Sequence, residues 1–362
     1  MKIAFLSSSL GWGGLERNLV RYGRWMAELG HDIQMNCLPQ SALANAVVEE
    51  NLPLRFISRQ NRYFPWSEAR QLQQHLTNAR IDVLWIRDPR DLPLAAMATT
   101  NATTKLLFHQ GMQIPRPKKN PWQCRRFKAI DIWVSPLEGL KIQALENTCL
   151  QEKQTHVIPL GLDDDWFHPA RPRHEFRSAL NLPLDVNIVG LFGRFDRLKG
   201  QDVLLRALAE PAASDWHALL IGENTPDDRR DSESELKALS RELGVADRIH
   251  WRKPTENLIP AYDACTAYAM CSASETFGMV TIEALARQLP VFGTHAGGTP
   301  ELLKFGDGKN LFDPGDYARL AQWLSREDQW ILPPPTFMQS FQKQNVLKRW
   351  EQLLRARGHS AS

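Results

Sequence analysis

At 362 residues and 41.3 kDa the chain is more than twice the length of an average domain of about 150 residues, which predicts two domains. Lys plus Arg number 44 against 41 Asp plus Glu, a net charge of +3 that is too even for a histone-like or polyanion-coating protein. Hydrophobic residues at 43% and charged residues at 23% exclude a disordered or collagen-like chain.

Met1 and Lys2 precede only Ile3 to Leu6 before a serine run, too short for the apolar region of a signal peptide. No apolar run approaches the ~20 residues of a membrane span. The expectation is a cytoplasmic protein, with peripheral attachment to the inner face of a membrane left open. The run KIAFLSS leads into GWGG and a helical pattern through Leu15, Leu19, Tyr22, Met26 and Leu29, then a second apolar run from Ile33 to Leu38. Short runs recur at 54–57, 82–86, 105–109 and 131–135, with helix-length stretches between them. Strands alternating with helices predict a parallel sheet covered on both faces.

The five cysteines, 37, 124, 149, 265 and 271, include no CxxC pair and no Cys/His ligand spacing, which predicts reduced thiols and no structural zinc. After HVIPLGLD the pattern breaks into DDWFHPARPRH and restarts with VNIVGLFG at 186–193, followed by strand-like runs at 217–222, 248–251, 267–271 and 290–293. Two tandem Rossmann-like α/β domains are predicted, 1–168 and 169–335, with a terminal amphipathic helix over 336–362 packing back across the joint to the first domain.

Three segments carry candidate chemistry. GWGGLE resembles the opening of a dinucleotide-binding turn, but Glu16 stands where the third glycine belongs. Gly13 and Gly14 at a helix N-terminus can hold an anion, or form a tight turn with no ligand. In GRFDRLKGQDVLLRAL, Gly193 ends a strand, and Arg194 and Lys199 follow within one loop. A planar fork and a point charge together suit a diphosphate, with solvated loop charges as the bland alternative. In SETFGMVTIEAL, Glu275 falls in a loop and Glu283 a turn or so inside the helix beginning near Met279. Two such carboxylates can each accept from vicinal hydroxyls of one molecule, and the backbone at the helix entry can meet a phosphate or sugar oxygen.

With these segments, PLGLD, FHP, LLIGE and GGTPEL, the chain resembles a retaining glycosyltransferase of the two-Rossmann-domain (GT-B) type, family 4, over residues 13 to about 303. The resemblance implies that Arg194 and Lys199 hold the diphosphate of a nucleotide sugar, UDP-linked, GDP-linked or other. It implies that Glu283 holds the ribose hydroxyls and Glu275 those of the transferred sugar. The donor set it implies is Gly13, Gly14, Gly193, Arg194, Lys199, Glu275, Thr276, Phe277, Gly278, Met279, Val280 and Glu283. His109, closing the run KLLFH, matches the histidine directed at the transferred sugar, so the implied catalytic set is His109, Arg194, Lys199 and Glu275. The chain departs from the family pattern at RIHWRKP, where a hydrophobic-Gly ending is usual, which leaves the base open.

The implied reaction is sugar transfer to a hydroxyl acceptor in cell-surface glycan, lipopolysaccharide or glycolipid synthesis, with no cofactor and no metal. Fixed cations would stabilise the leaving diphosphate where a metal does so elsewhere. A nucleotide-sugar epimerase of the same architecture is the alternative. A nicotinamide dehydrogenase fits less well, because Asp32 lies at the start of the second strand rather than its end. Finally, Arg116, Lys118, Lys119, Arg125, Arg126 and Lys128, interleaved with Trp122 and Phe127, make a basic-aromatic segment without an acid. It suits an anionic acceptor, an anionic membrane surface or plain solvent, and nucleic acid is not expected.

Overall fold

The computed structural model describes residues 1–59, 65–170, 172–224 and 230–358. Arg171 of the expected linker and 359–362 of the expected terminal helix lie outside the described residues. The chain divides into two compact units, Met1–Pro159 and Leu160–Ser362.

In unit 1 seven strands form one parallel sheet: β1 (Lys2–Ser7), β2 (Asp32–Cys37), β3 (Leu54–Phe56), β4 (Val83–Ile86), β5 (Lys105–His109), β6 (Ile132–Ser135) and β7 (Thr155–Val157). Their order across the sheet is β3-β2-β1-β4-β5-β6-β7. β4 and β6 are buried along their whole length, as strands covered by helices on both faces must be. One covering layer packs around Phe108 and Trp133, whose rings stack 4.4 Å apart.

Unit 2 repeats the plan with six parallel strands: β8 (Asn187–Phe192), β9 (Trp216–Ile221), β10 (Ile249–Arg252), β11 (Ala267–Met270), β12 (Val291–Thr294) and β13 (Leu311–Phe312). The order is β10-β9-β8-β11-β12-β13. Phe292 stacks on Phe312 and on Trp323, each 4.8 Å away, and anchors the core on one face. The terminal segment groups with this unit: Phe341 lies 6.4 Å from Phe277, and its carbonyl accepts from the Leu162 N–H at 2.8 Å, just before the helix Lys343–Gly358.

Both strand orders reverse direction of build-up at one place, between β1 and β4 in unit 1 and between β8 and β11 in unit 2. Adjacent connections there leave on opposite faces and open a crevice at the carboxyl ends of the strands, the usual ligand position in open α/β sheets. The turns after β1 and β8 are the two glycine turns singled out in the sequence.

The cysteine expectation is corrected. Cys124, on the helix Pro121–Lys128, is disulfide-bonded to Cys149, while Cys37, Cys265 and Cys271 are free and buried. The helix Glu138–Asn147 runs back across the sheet and brings residue 149 beside residue 124, with Cα atoms 5.1 Å apart. Spacing along the chain carries no sign of that return.

Candidate functional site

In unit 2 the strand β8 runs into a turn stitched by its own backbone. The Gly193 N–H donates to Ile221 O at 2.9 Å, and Gln201 Nε2 donates to Arg194 O at 2.8 Å. Asp196 Oδ1 accepts from the backbone N–H groups of Leu198 and Lys199, at 2.9 and 3.1 Å, so the lysine's position is set by an Asx turn. Gly200 has φ +72°, and a Cβ there would run into the Cys271 carbonyl, so only glycine lets this turn lie against the end of β11.

That close approach brings the loops after β8 and β11 together. Lys199 Nζ lies 2.8 Å from Glu275 Oε2, with side chains 24% and 17% exposed. Arg194 is exposed, and its guanidinium has no partner among the described residues. Two cations and a carboxylate from the sequence-derived set therefore share one end of this sheet.

Glu275 Oε1 also accepts from the Thr276 N–H at 3.1 Å, and its carbonyl accepts from Gly298, which ties in the GGTPEL turn. Gly278 caps the helix Met279–Ala286 with φ +93°, and Phe277 is buried beneath it. Inside this helix Glu283 accepts a 2.9 Å hydrogen bond from the Tyr262 hydroxyl, which also reaches Val280 O at 3.3 Å. Burial first, and the neighbouring Glu283 second, push the Tyr262 phenol well above its usual range, so it stays a neutral donor. Arg287, one residue beyond the helix, forks onto Asp263 at 2.7 and 2.9 Å and donates to the carbonyls of Trp166 and His168.

In unit 1 the helix Gly14–Glu28 starts directly after Gly13. Glu16 is not merely a missing glycine: its Oε2 accepts from the Gly13 N–H at 3.0 Å. Here the helix's own first turn supplies an anion to the Gly13 N–H, as in the tight-turn alternative. Asp91, wholly buried at the start of the helix Leu92–Ala98, accepts from the N–H of Ser8 at 3.1 Å and from its hydroxyl. Burial pushes the Asp91 carboxyl up to about 7, partly opposed by the Ser8 hydroxyl.

His109 ends β5 with no solvent exposure. It packs edge-on against Tyr22 at 4.9 Å and Trp85 at 5.7 Å, and its Nδ1 lies 3.0 Å from Arg87 Nη1. Burial, then the Arg87 charge, hold its pKa well below the ordinary histidine value.

The basic segment lies elsewhere in unit 1. Lys118 N–H donates to Asn147 O, and the helix Pro121–Lys128 feeds straight into β6, so the segment packs at the amino ends of the strands. Trp122 is 67% exposed. A hollow of about 340 Å³ there is lined by Thr100, Asn101, Lys105, Arg125, Lys128 and Asp131. Lys105 and His109 are the two ends of β5, four residue steps or about 13 Å apart, so hollow and histidine occupy opposite edges of the sheet.

Residues 12–166 match the family model for Glycosyltransferase Family 4, and residues 172–326 match that for Glycosyl transferases group 1. Together the two span all but the ends of the chain and residues 167–171 between them. This chain belongs to glycosyltransferase family 4.

Like other members of family 4, the chain has the GT-B fold. It superposes on a glycosyltransferase from Rickettsia africae with a TM-score of 0.84 at 20% identity, covering 99% of both chains. Against the Anabaena protein Alr3699/HepE in complex with UDP and glucose the TM-score is 0.82 at 22% identity, covering 98% of this chain and 99% of that one. Among curated relatives, the D-inositol 3-phosphate glycosyltransferase of Corynebacterium jeikeium is 35% identical over 184 residues, 48% of this chain and 43% of that one. The chain thus matches less than half the length of that relative.

Sequence reasoning missed three buried polar residues at the sheet edges described above: Arg87 and Asp91 in unit 1, and Tyr262 in unit 2. The first two had a readable signal, because IRDPRD places charges directly after the apolar strand VLWI, at the carboxyl edge. Tyr262 had none, since its bond to Glu283 exists only once two helices pack.

Proposed function

We propose that the chain is a retaining, metal-independent glycosyltransferase that moves a sugar from a nucleotide-diphosphate donor to a hydroxyl acceptor in cell-surface glycan, lipopolysaccharide or glycolipid synthesis. The observation that carries this reading is the Lys199–Glu275 pair at the switch point of unit 2, with Arg194, whose guanidinium has no partner among the described residues, in the same loop as Lys199. In the reaction the anomeric C–O bond to the diphosphate breaks and a bond from the acceptor oxygen forms on the same face. The acceptor's proton passes to the departing phosphate oxygen. Arg194 and Lys199 take up the charge developing on the diphosphate, Glu275 accepts from sugar hydroxyls and Glu283 from the ribose. His109 serves the transferred sugar.

The Anabaena complex with UDP and glucose supports a UDP-linked donor. The name of the Corynebacterium relative supports an anionic acceptor. A thermal-shift panel of UDP- and GDP-sugars, followed by transfer assays with the donor that stabilises the fold, tests the reading. Conversion of the sugar without any acceptor would favour an epimerase instead, and loss of transfer in EDTA restored by Mg²⁺ would remove the metal-free assignment.

The protein works in the cytoplasm against the inner face of a membrane, and the basic segment is its attachment. Its place at the amino edge of the unit 1 sheet, away from His109, supports a surface role over an acceptor role. Each cation near an anionic bilayer contributes roughly 1 kcal/mol, and Trp122 suits the headgroup boundary. Co-sedimentation with anionic but not zwitterionic vesicles at low salt, lost on neutralising Lys118, Lys119, Arg125 and Arg126 together, is the expected result. Equal sedimentation of both forms would overturn it.

A further inference from the structure

Arg87 follows β4 directly and is 3% exposed. A guanidinium so deeply placed ordinarily forks onto a carboxylate, as Arg287 does onto Asp263. Arg87 does not: among the described residues its polar partner is His109 Nδ1, and its other contact is the Tyr22 ring, 5.9 Å from the guanidinium carbon. Among the described residues its Nε has no acceptor. Burying a cation with so little compensation is costly, and an apolar side chain of similar length would suit the core better. Such a residue has no stabilising reason to be there.

Its effect on His109 is specific. A guanidinium only donates, so the ring nitrogen facing it must accept and carry no proton. The neutral imidazole then has its hydrogen on Nε2, and a second proton would have to enter at Nδ1 against an adjacent positive charge. We infer that Arg87 is a positioning residue that locks His109 as the neutral Nε2–H tautomer, making it a hydrogen-bond donor to an oxygen of the transferred sugar and not a base. The inference rests on the reading of His109 given above. Among the described residues, the other charged or titratable groups acting on the pair are Tyr22, Glu16 and Arg21, all on the helix Gly14–Glu28. Glu16 is occupied by the Gly13 N–H. Burial lowers the Arg87 pKa only to about 10, so the guanidinium stays charged across the working range.

The experiment combines ¹⁵N spectroscopy of the histidine ring, assigned with His109→Gln, and steady-state transfer kinetics, in wild type, Arg87→Met and Arg87→Lys. Wild type should show the Nε2–H tautomer with no protonation down to pH 5. Arg87→Met should show mixed tautomers and a ring that protonates at higher pH than in wild type. Its kcat should fall at least about tenfold with donor KM changed less than about threefold, and adding His109→Gln should cost nothing more. Arg87→Lys, which restores a donor and a charge, should recover the tautomer and part of kcat. A wild-type ring protonated on Nδ1, or equal kcat losses in the methionine and lysine variants with the tautomer unchanged, would overturn the inference. Full transfer by His109→Gln alone, with the tautomer still set by Arg87, would instead defeat only the role given to His109.

Discussion

Lys199 Nζ and Glu275 Oε2 stand 2.8 Å apart although 76 positions separate them in the chain. The loop after β8 supplies the cation and the loop after β11 the acid, so one ion pair records the meeting of two connections at the switch point. On the proposed reading, a diphosphate entering beside Lys199 would compete with Glu275 for the ammonium group, which would couple the roles of the two residues.

That coupling makes a kinetic prediction. Lys199→Ala and Arg194→Ala should each lower turnover by two orders of magnitude, since removing one such electrostatic donor costs on the order of 3 kcal/mol in the barrier. Because Glu275 holds Lys199, the Lys199→Ala, Glu275→Gln double variant should lose less than the product of the single losses. Steady-state rates within threefold of wild type for both cation variants would remove the assignment.

The Tyr262 hydroxyl is the donor that orients Glu283. Tyr262→Phe should weaken nucleoside diphosphate binding about tenfold, through about 1–2 kcal/mol of lost orientation, while turnover at saturating donor changes little. Calorimetry on this variant and on Glu283→Ala checks it. Unchanged affinity in both would contradict the ribose assignment.

Asp91 makes stability depend on pH in a direction opposite to most carboxylates. Its folded pKa, pushed up to about 7, lies above the unfolded value, so between about pH 4 and 7 the folded state binds the extra proton. Its contribution is therefore greatest below pH 4, declines as pH rises to 7, and is level above that. Asp91→Asn keeps an acceptor for Ser8 without the buried charge. Its melting temperature should match wild type near pH 4.5 and exceed it at pH 8, and the reverse ordering would show that the carboxylate is ionised and well solvated.

The Cys124–Cys149 bond should leave three titratable thiols in denatured protein without reductant and five after reduction. Closing a loop of this length is worth about 3 kcal/mol by chain entropy, so Cys149→Ser should lower the melting temperature measurably. Five thiols before reduction would show the pair unbonded.

Much of this fold is legible in the sequence because central strands of a parallel sheet are buried on both faces and so read as continuous apolar runs: KLLFH is a strand at 105–109 as expected, and VNIVGLFG contains β8. THV at 155–157 and LF at 311–312 escape because neither offers more than two apolar residues, whereas LRFI marks the equally short edge strand β3. At the candidate site, residues next to glycine turns are visible, since the turn itself announces the sheet edge. Arg87 against His109 and Tyr262 against Glu283 are not. Each is a pairing between elements that sequence order keeps apart, and nothing local in either partner anticipates the other.

Arg287 has a practical consequence for dissecting the protein. Two of its acceptors, the carbonyls of Trp166 and His168, lie before the Pro- and Arg-rich stretch that looks like a natural place to cut. A fragment beginning at residue 172, where the second family match starts, would discard both and leave a buried guanidinium short of acceptors at the foot of the helix that bears Glu283. The smallest self-sufficient version of unit 2 should start at Leu160, where the compact unit itself begins, and would keep the backbone bond between Leu162 and Phe341 as well.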